Sequence, residues 1–141
     1  TVVAGTTNDN KIRNLVSTTE ASLLAGIEEL KDGIQVGTIA NAIEAVLKKQ
    51  HLGVVRDLVG HGVGHELHEE PNIPNYGRAN TGPVLQAGMT IAIEPMATLG
   101  REEVVTEADG WTISTSDRSL SAHFEHTILI TKNGYEILTK M

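Results

Sequence analysis

The most informative stretch of this sequence is GHGVGHELHEEP, which runs from Gly60 to Pro71. It follows an apolar run, and it places His61 and His68 beside alternating glycines. Glycine has no Cβ, so a backbone of this kind can turn sharply and approach a ligand closely. The pattern predicts a loop that presents imidazoles to a site and does not fill a core.

Two further segments each set one glutamate in an apolar or β-prone run. Glu94 lies within residues 90–96, and Glu125 lies within residues 121–127. An inward carboxylate is costly to bury unless it is paired or bound to a metal, which favours a functional role for Glu94. Strand alternation leaves an outward orientation open for Glu125. Together with His61, the two glutamates form a candidate metal site with nitrogen and oxygen ligands.

The composition bounds the class of protein. The chain has 141 residues and a net charge of −7, from 11 basic and 18 acidic residues, which fits one domain over residues 1–141. No basic stripe is visible, so we expect no nucleic-acid partner. No apolar run is long enough to cross a bilayer, so we expect no membrane association. The sequence has no cysteine, which excludes disulfides and a thiol nucleophile and suits a cytoplasmic protein.

Hydrophobic spacing divides the chain into a helical part and a β part. A first helix is predicted after the polar turn that ends at Asn10, with Asn8 or Asp9 as its cap, and it runs to about residue 31. A second helix is predicted from about residue 36 to residue 50. A short strand is predicted within 52–59, and prolines and glycines make residues 69–89 read as a loop.

The β part carries two hairpin signals. Asp109-Gly110 and Asn133-Gly134 each lie between β-prone runs, and these dipeptides favour tight hairpin turns. Residues 90–96 add a further strand. Two helices followed by four or five strands predict an α+β fold with a largely antiparallel sheet.

The candidate residues permit metal-assisted hydrolysis. Histidine binds a metal as neutral imidazole, and a glutamate carboxylate can bridge two ions. A carboxylate can also take a proton from water and pass it to a leaving amine. His68 is the candidate for holding the amide, although composition alone leaves a structural role equally open. There is no Gly-x-Ser-x-Gly motif and no Gly-x-x-x-x-Gly-Lys phosphate loop.

Other polar residues near these motifs have simpler interpretations. Glu69 and Glu70 are expected to be solvated, and His51 is expected to lie at a helix end. His123 and His126 stand on either side of the second candidate glutamate, and their roles stay open.

Three ordered motifs resemble those of type I methionine aminopeptidases, which have the pita-bread fold. They are GHGVG with HEEP at 60–71, GMTIAIEPM at 88–96, and DRSLSA with FEHT at 117–127. The resemblance covers essentially the whole chain, including DGWT at 109–112. The first two motifs also fit proline-directed metallopeptidases of the same fold. His126 favours the methionine enzymes, because the proline-directed relatives usually have aspartate after that glutamate.

The resemblance implies a role for each site residue. His61 and Glu94 would be terminal ligands of one of two divalent ions, which are cobalt, manganese, iron or zinc, and Glu125 would bridge both. Glu94 would also shuttle protons, and His68 would contact the scissile amide. Trp111, by default a core residue, would lie near the pocket for the methionine side chain. The enzyme would be a monomer that removes N-terminal methionine from peptides and nascent proteins.

The chain also departs from the family pattern. The family site needs two aspartates and a histidine upstream of the segment that resembles residues 1–5. We therefore expect the C-terminal half of a pita-bread domain, with two helices on a curved, largely antiparallel sheet, and no activity from this chain alone. Val59, His65 and His123 stand where cysteine, arginine and glutamine are common, and none of these changes removes a ligand.

Two other functions remain open at this stage. One is a pita-bread protein that binds other proteins without catalysis, which the missing aspartates would suit. The other is a proline-directed aminopeptidase of the same fold, which His126 disfavours.

Overall fold

The computed structural model describes residues 1–140, which form two helices followed by ten strands. The helices are α1 (Asn10–Glu28) and α2 (Val36–Lys49). The strands are β1 (Gly53–Val54), β2 (Gly60–Val63), β3 (Glu69–Ile73), β4 (Thr90–Ile93), β5 (Met96–Thr98), β6 (Val104–Thr106), β7 (Ile113–Thr115), β8 (Ser121–His123), β9 (His126–Thr131) and β10 (Gly134–Ile137). The predicted α+β class is confirmed.

The strands form two main sheets and a separate hairpin. The larger sheet has the order β10-β9-β4-β2-β3, and the smaller one has the order β1-β5-β8. Strands β6 and β7 pair with each other. All of these strand pairs are antiparallel, as the sequence predicted.

Both helices begin close to the predicted positions, and α2 also ends close to its predicted end. The Asp9 carboxylate caps α1 by accepting a hydrogen bond of 2.8 Å from the Lys11 N–H, which decides between the two candidate caps. Helix α1 ends at Glu28, and the Leu30 N–H then bonds the Ile27 carbonyl in a tighter turn. The predicted end near residue 31 was therefore about one turn too late.

The two helices pack closely because one contact position is a glycine. A Cβ on Gly26 would lie 2.8 Å from Cγ1 of Ile43, so only glycine allows α2 to approach this near. Helix α1 also contacts β4, β5 and β8, while α2 contacts β1 and β3. The core between helices and sheets includes the fully buried side chains Leu15, Leu23, Ile27, Ile39, Ile43, Leu47, Ile91, Ile93, Ile128 and Ile130.

The histidine stretch is not the loop that its glycines suggested. Residues 60–63 form β2, which lies between β3 and β4 in the larger sheet. A Cβ on Gly60 would lie 2.3 Å from the Ala92 carbonyl oxygen, and one on Gly62 would lie 2.4 Å from the Glu70 carbonyl oxygen. The glycines therefore permit close strand pairing here, where the sequence indicated a turn.

Other strand predictions need similar correction. Residues 69–73, expected to be loop, form β3 because they pair with β2. The single strand predicted over 90–96 divides into β4 and β5, which belong to different sheets. The strand expected within residues 52–59 is present only as the two-residue strand β1, Gly53–Val54.

Both hairpin predictions are confirmed. The turn at Asp109-Gly110 joins β6 to β7, with Gly110 at φ +71°, and the turn at Asn133-Gly134 joins β9 to β10. Neither of the described helices is long and apolar enough to cross a membrane.

We expect Ile43→Ala to lower the free energy of unfolding by about 2–5 kcal/mol, because it opens a cavity where α1 meets α2. Ile43 is 0% exposed. Chemical denaturation of the native protein measures the change. Leu24→Ala is the matched control, because Leu24 lies on α1 with 45% exposure and should change stability by less than about 0.5 kcal/mol. Equal losses from both variants would contradict this packing.

Candidate metal centre

The candidate centre lies where the chain passes between the two main sheets. Residues 94–95 lead from β4 to β5, and residues 124–125 lead back from β8 to β9. We call these two facing links the sheet junction. The strands stay paired on both sides of it, with Ile93 opposite His126 and Met96 opposite His123. Across the junction, the Phe124 N–H donates to the Pro95 carbonyl at 3.3 Å.

The strand register places the three candidate ligands on one face of the sheet. His61 pairs with Ala92, and Ala92 pairs with Thr127. Directly paired residues share a face, and the same face recurs at every second residue along a strand. Glu94 follows Ala92 by two residues, and Glu125 precedes Thr127 by two. Strand alternation therefore brings both carboxylates to the imidazole of His61.

The side-chain atoms meet as this register implies. His61, Glu94 and Glu125 each offer one ligand atom, and these atoms lie within 4.8 Å of one another. Nε2 of His61 is 3.4 Å from Oε1 of Glu94. His61 is buried, Glu94 is mostly buried and Glu125 is exposed. The inward orientation predicted for Glu94 is confirmed, and Glu125 reaches the cluster from the solvent side.

The hydrogen bonding of His61 leaves one nitrogen free for a cation. Its Nδ1 lies 2.8 Å from the Gly62 carbonyl oxygen, which can only accept, so Nδ1 carries the proton. In the neutral imidazole Nε2 then presents a lone pair towards the Glu94 carboxylate. Two electron-pair donors this close need a proton or a cation between them. A nitrogen and oxygen donor set of this kind suits a divalent transition metal.

His68 lies directly against this cluster. Its ring centroid is 4.2 Å from that of His61, and the rings meet edge to face at 62°. His68 is exposed, at the end of the short connection between β2 and β3. The sequence left catalytic and structural roles equally open, and the exposed position of His68 against His61 leaves its imidazole accessible.

Glu69 shapes the connection that presents His68. Its Oε1 accepts a hydrogen bond of 2.7 Å from the Glu66 N–H, and the Glu66 carbonyl accepts one of 3.1 Å from the Gly64 N–H. A Cβ on Gly64 would lie 2.5 Å from Oε2 of Glu69. The expectation that Glu69 is simply solvated was wrong, because this half-buried carboxylate closes the turn. Glu70 is exposed, as expected.

Two further residues contact Glu94, and sequence reasoning did not identify either role. Nε2 of His123 is 3.2 Å from Oε2 of Glu94. The buried Asn75 donates through Nδ2 to the Glu94 backbone carbonyl at 3.1 Å. The spacing of His123, two residues before Glu125, was the available signal. For Asn75 no local pattern could indicate a partner 19 residues away.

The remaining sequence candidates lie outside the cluster of ligand atoms. Trp111 is 87% exposed at the β6–β7 turn, so the default expectation of a core residue was wrong. Its contact with a substrate stays a prediction. His51 follows the end of α2, as expected. Nδ1 of His126 lies 2.8 Å from Oγ1 of Thr139, which ties the start of β9 to the segment after β10.

Asp117 organises the turn that leads into β8. Its carboxylate accepts hydrogen bonds from the Arg101 N–H at 2.8 Å and from the Ser119 N–H at 3.0 Å. These hydrogen bonds lower the pKa of Asp117 to about 2, and the bond from the Arg101 backbone has the largest effect. The carboxylate therefore joins the turn after β5 to the turn before β8, at the end of this strand pair opposite the sheet junction.

A buried histidine and two carboxylates, gathered where two antiparallel sheets meet, form a group that could hold a metal ion. Residues 1–132 match the profile of metallopeptidase family M24, and the chain belongs to that family.

Individual relatives agree with this assignment. The methionine aminopeptidase of Mycoplasma capricolum is 49% identical over 140 residues, covering 99% of this chain and 56% of that protein. The crystal structure of methionine aminopeptidase from Thermotoga maritima superposes with a TM-score of 0.92 at 52% identity, covering 94% of this chain and 53% of that one.

A proline-directed relative is more distant. Prolidase from Pyrococcus furiosus superposes with a TM-score of 0.73 at 28% identity, covering 99% of this chain and 35% of that one. The expected pita-bread architecture and the resemblance to methionine aminopeptidases are confirmed. The chain spans about half the length of the curated relatives that it matches.

We expect Asp117→Asn to destabilise the protein near neutral pH, with a difference that shrinks in acid. The folded pKa is about 2, below the ordinary value of 3.8. The ionised carboxylate therefore stabilises the fold above the unfolded value, and this contribution is lost as pH falls from about 4 to about 2. Urea denaturation across this range measures the effect. Asp57→Asn is the control for removing an exposed carboxylate. A difference between wild type and Asp117→Asn that does not vary with pH would contradict the assignment.

Proposed function

We propose that the protein carrying this chain is a methionine aminopeptidase, which hydrolyses the N-terminal methionine from peptides and nascent proteins. The observation that carries this proposal is the convergence of ligand atoms of His61, Glu94 and Glu125 within 4.8 Å, with His68 packed edge to face against His61. The names of relatives sharing about half of its residues support the same substrate.

The proposed cofactors are two divalent ions, which could be cobalt, manganese, iron or zinc. His61 and Glu94 would hold one ion as terminal ligands, and Glu125 would bridge the two. A divalent ion held by these residues supplies Lewis acidity, which polarises a peptide carbonyl and lowers the pKa of water. The family resemblance implies two further aspartate ligands, upstream of the segment that resembles residues 1–5.

Glu94 and His68 are the proposed catalytic residues. Glu94 belongs to the cluster, and its side chain is mostly shielded from solvent. Its carboxylate can therefore take a proton from the attacking water and pass it to the leaving amine. His68 faces the cluster from an exposed turn, where its imidazole can hydrogen-bond the scissile amide and hold it in line for attack.

The exposure of the site agrees with a peptide substrate. His61 is buried at the base of the cluster, whereas Glu125 and His68 lie on its exposed side. The end of an extended peptide can therefore approach without a rearrangement of the sheets. We further expect a cytoplasmic monomer without nucleic-acid or membrane partners.

We expect the native protein at full length to release methionine from a Met-Gly-Gly peptide when manganese or cobalt is supplied, and to lose this activity on chelation. Glu94→Gln should lower kcat by about 10²–10⁴, because an amide cannot accept and return the proton. Measured rates of free methionine release test both statements.

The substrate panel for this assay should also contain an Ala-Pro peptide. Preferential cleavage of Ala-Pro would identify a proline-directed enzyme. Metal binding without cleavage of either peptide would instead favour a non-catalytic binding module. The variant His51→Asn removes an exposed imidazole outside the site and controls for nonspecific effects.

We expect Glu125→Ala to abolish tight binding of both ions, because a bridging carboxylate is shared by both. Isothermal titration with manganese and metal analysis of the purified variant give the stoichiometry. Glu103→Ala removes an exposed carboxylate away from the site and is the matched control. An unchanged stoichiometry in Glu125→Ala would show that the bridging assignment is wrong.

A further inference from the structure

We propose that His123 is a positioning residue that donates a hydrogen bond to Oε2 of Glu94 and leaves Oε1 to act as the ligand atom. This inference deepens the proposed function and rests on it for its catalytic consequence. It gives a role to a histidine that stands where glutamine is common among the proteins that this chain resembles.

The Glu94 carboxylate lies between two imidazoles that come from different sheets. Oε1 faces Nε2 of His61 at 3.4 Å, and Oε2 faces Nε2 of His123 at 3.2 Å. His61 belongs to β2 in the larger sheet, whereas His123 ends β8 in the smaller one. The carboxylate at the sheet junction is therefore contacted from both sides.

The two imidazoles are not chemically equivalent. Nδ1 of His61 donates to the Gly62 carbonyl, so Nε2 of the neutral ring has a lone pair and no proton to give. Among residues 1–140, no hydrogen bond holds the proton of His123 on Nδ1. The Nε2–H form of this ring donates to a carboxylate oxygen whether or not the ring is charged. Oε2 of Glu94 thus accepts a hydrogen bond from His123, whereas Oε1 faces the Nε2 lone pair of His61.

The backbone of His123 is held on both edges, which fixes where its side chain starts. On one edge β8 pairs with β5, with His123 opposite Met96. On the other edge the His123 N–H donates to Oγ1 of Thr1 at 2.9 Å, and the His123 carbonyl accepts from the same hydroxyl at 2.9 Å. The preceding residue, Ala122, is buried and anchors the strand.

The side chain itself is not forced into place by core packing. The His123 side chain is 44% exposed, so its contact with the much less exposed Glu94 carboxylate is polar and not steric. The Glu94 backbone is held separately by Asn75. His123 therefore supplies the hydrogen bond that restricts rotation of the carboxylate about its last torsion. Partners of this kind orient ligands and raise metal affinity, typically by about 10–100-fold.

The test compares donor-free and donor-retaining side chains at position 123 in the native protein at full length. Isothermal titration with manganese alone should show binding weakened by about 10–100-fold in His123→Phe. His123→Gln should recover most of this loss, because its amide N–H can donate in place of the imidazole. His123→Ala is a second donor-free variant, used if the phenyl ring prevents folding. His51→Asn is the control for loss of an exposed imidazole.

Methionine release provides a second readout, in which the donor-free variants should lower kcat more than they raise KM. Wild-type manganese affinity in a folded donor-free variant, His123→Phe or His123→Ala, would overturn the proposal. Equal losses in His123→Gln and His123→Phe would also overturn it, because a hydrogen-bond donor would then not be what matters. If the wild-type protein releases no methionine, the proposed function fails, while the manganese titrations still decide the role of His123.

Discussion

The candidate centre depends on the register of three neighbouring strands, β2, β4 and β9. His61, Ala92 and Thr127 form one row across these strands, so their side chains point to the same face. Glu94 and Glu125 are each two residues from that row and share the face. A slip of one residue in either pairing would turn a carboxylate to the opposite side of the sheet. The positions of the three candidate ligands are therefore specified by backbone pairing before any side chain is considered.

Close backbone packing makes this register possible. Gly60 and Gly62 lie against the carbonyl oxygens of Ala92 and Glu70, with no room for a side chain on either. The strand that carries His61 is thus held within the larger sheet, between β4 and β3. Glycine, which is usually read as a source of flexibility, here produces a rigid placement of the imidazole.

The sheet junction then gives each carboxylate an environment of its own. Glu94 follows β4 immediately before Pro95, where the chain leaves the larger sheet, and it is contacted by His61 and His123. Glu125 lies on the opposite link and is exposed. One carboxylate is contacted on both oxygens, and the other is open to solvent. This asymmetry is compatible with the different roles proposed for the two glutamates.

The sequence by itself determined the features that depend on local patterns. Helical spacing predicted α1 and α2, Asp9 was one of two expected caps, and the Asp109-Gly110 and Asn133-Gly134 turns were located correctly. The sequence also grouped His61, Glu94 and Glu125 as a candidate metal site, and their ligand atoms do lie together. The cost of burying an unpaired carboxylate favoured Glu94, whereas the orientation of Glu125 was left open.

Only the tertiary structure decided the features that depend on distant pairing. The stretch after Gly60 became a strand because β3 and β4 lie beside it, and the run from 90 to 96 divided because its two halves pair in different sheets. The contacts of Glu94 with His123 and Asn75, and the exposure of Trp111, likewise follow from where separate segments meet. Local periodicity carries no information about such partners, since hydrogen bonds between strands join residues far apart in the chain.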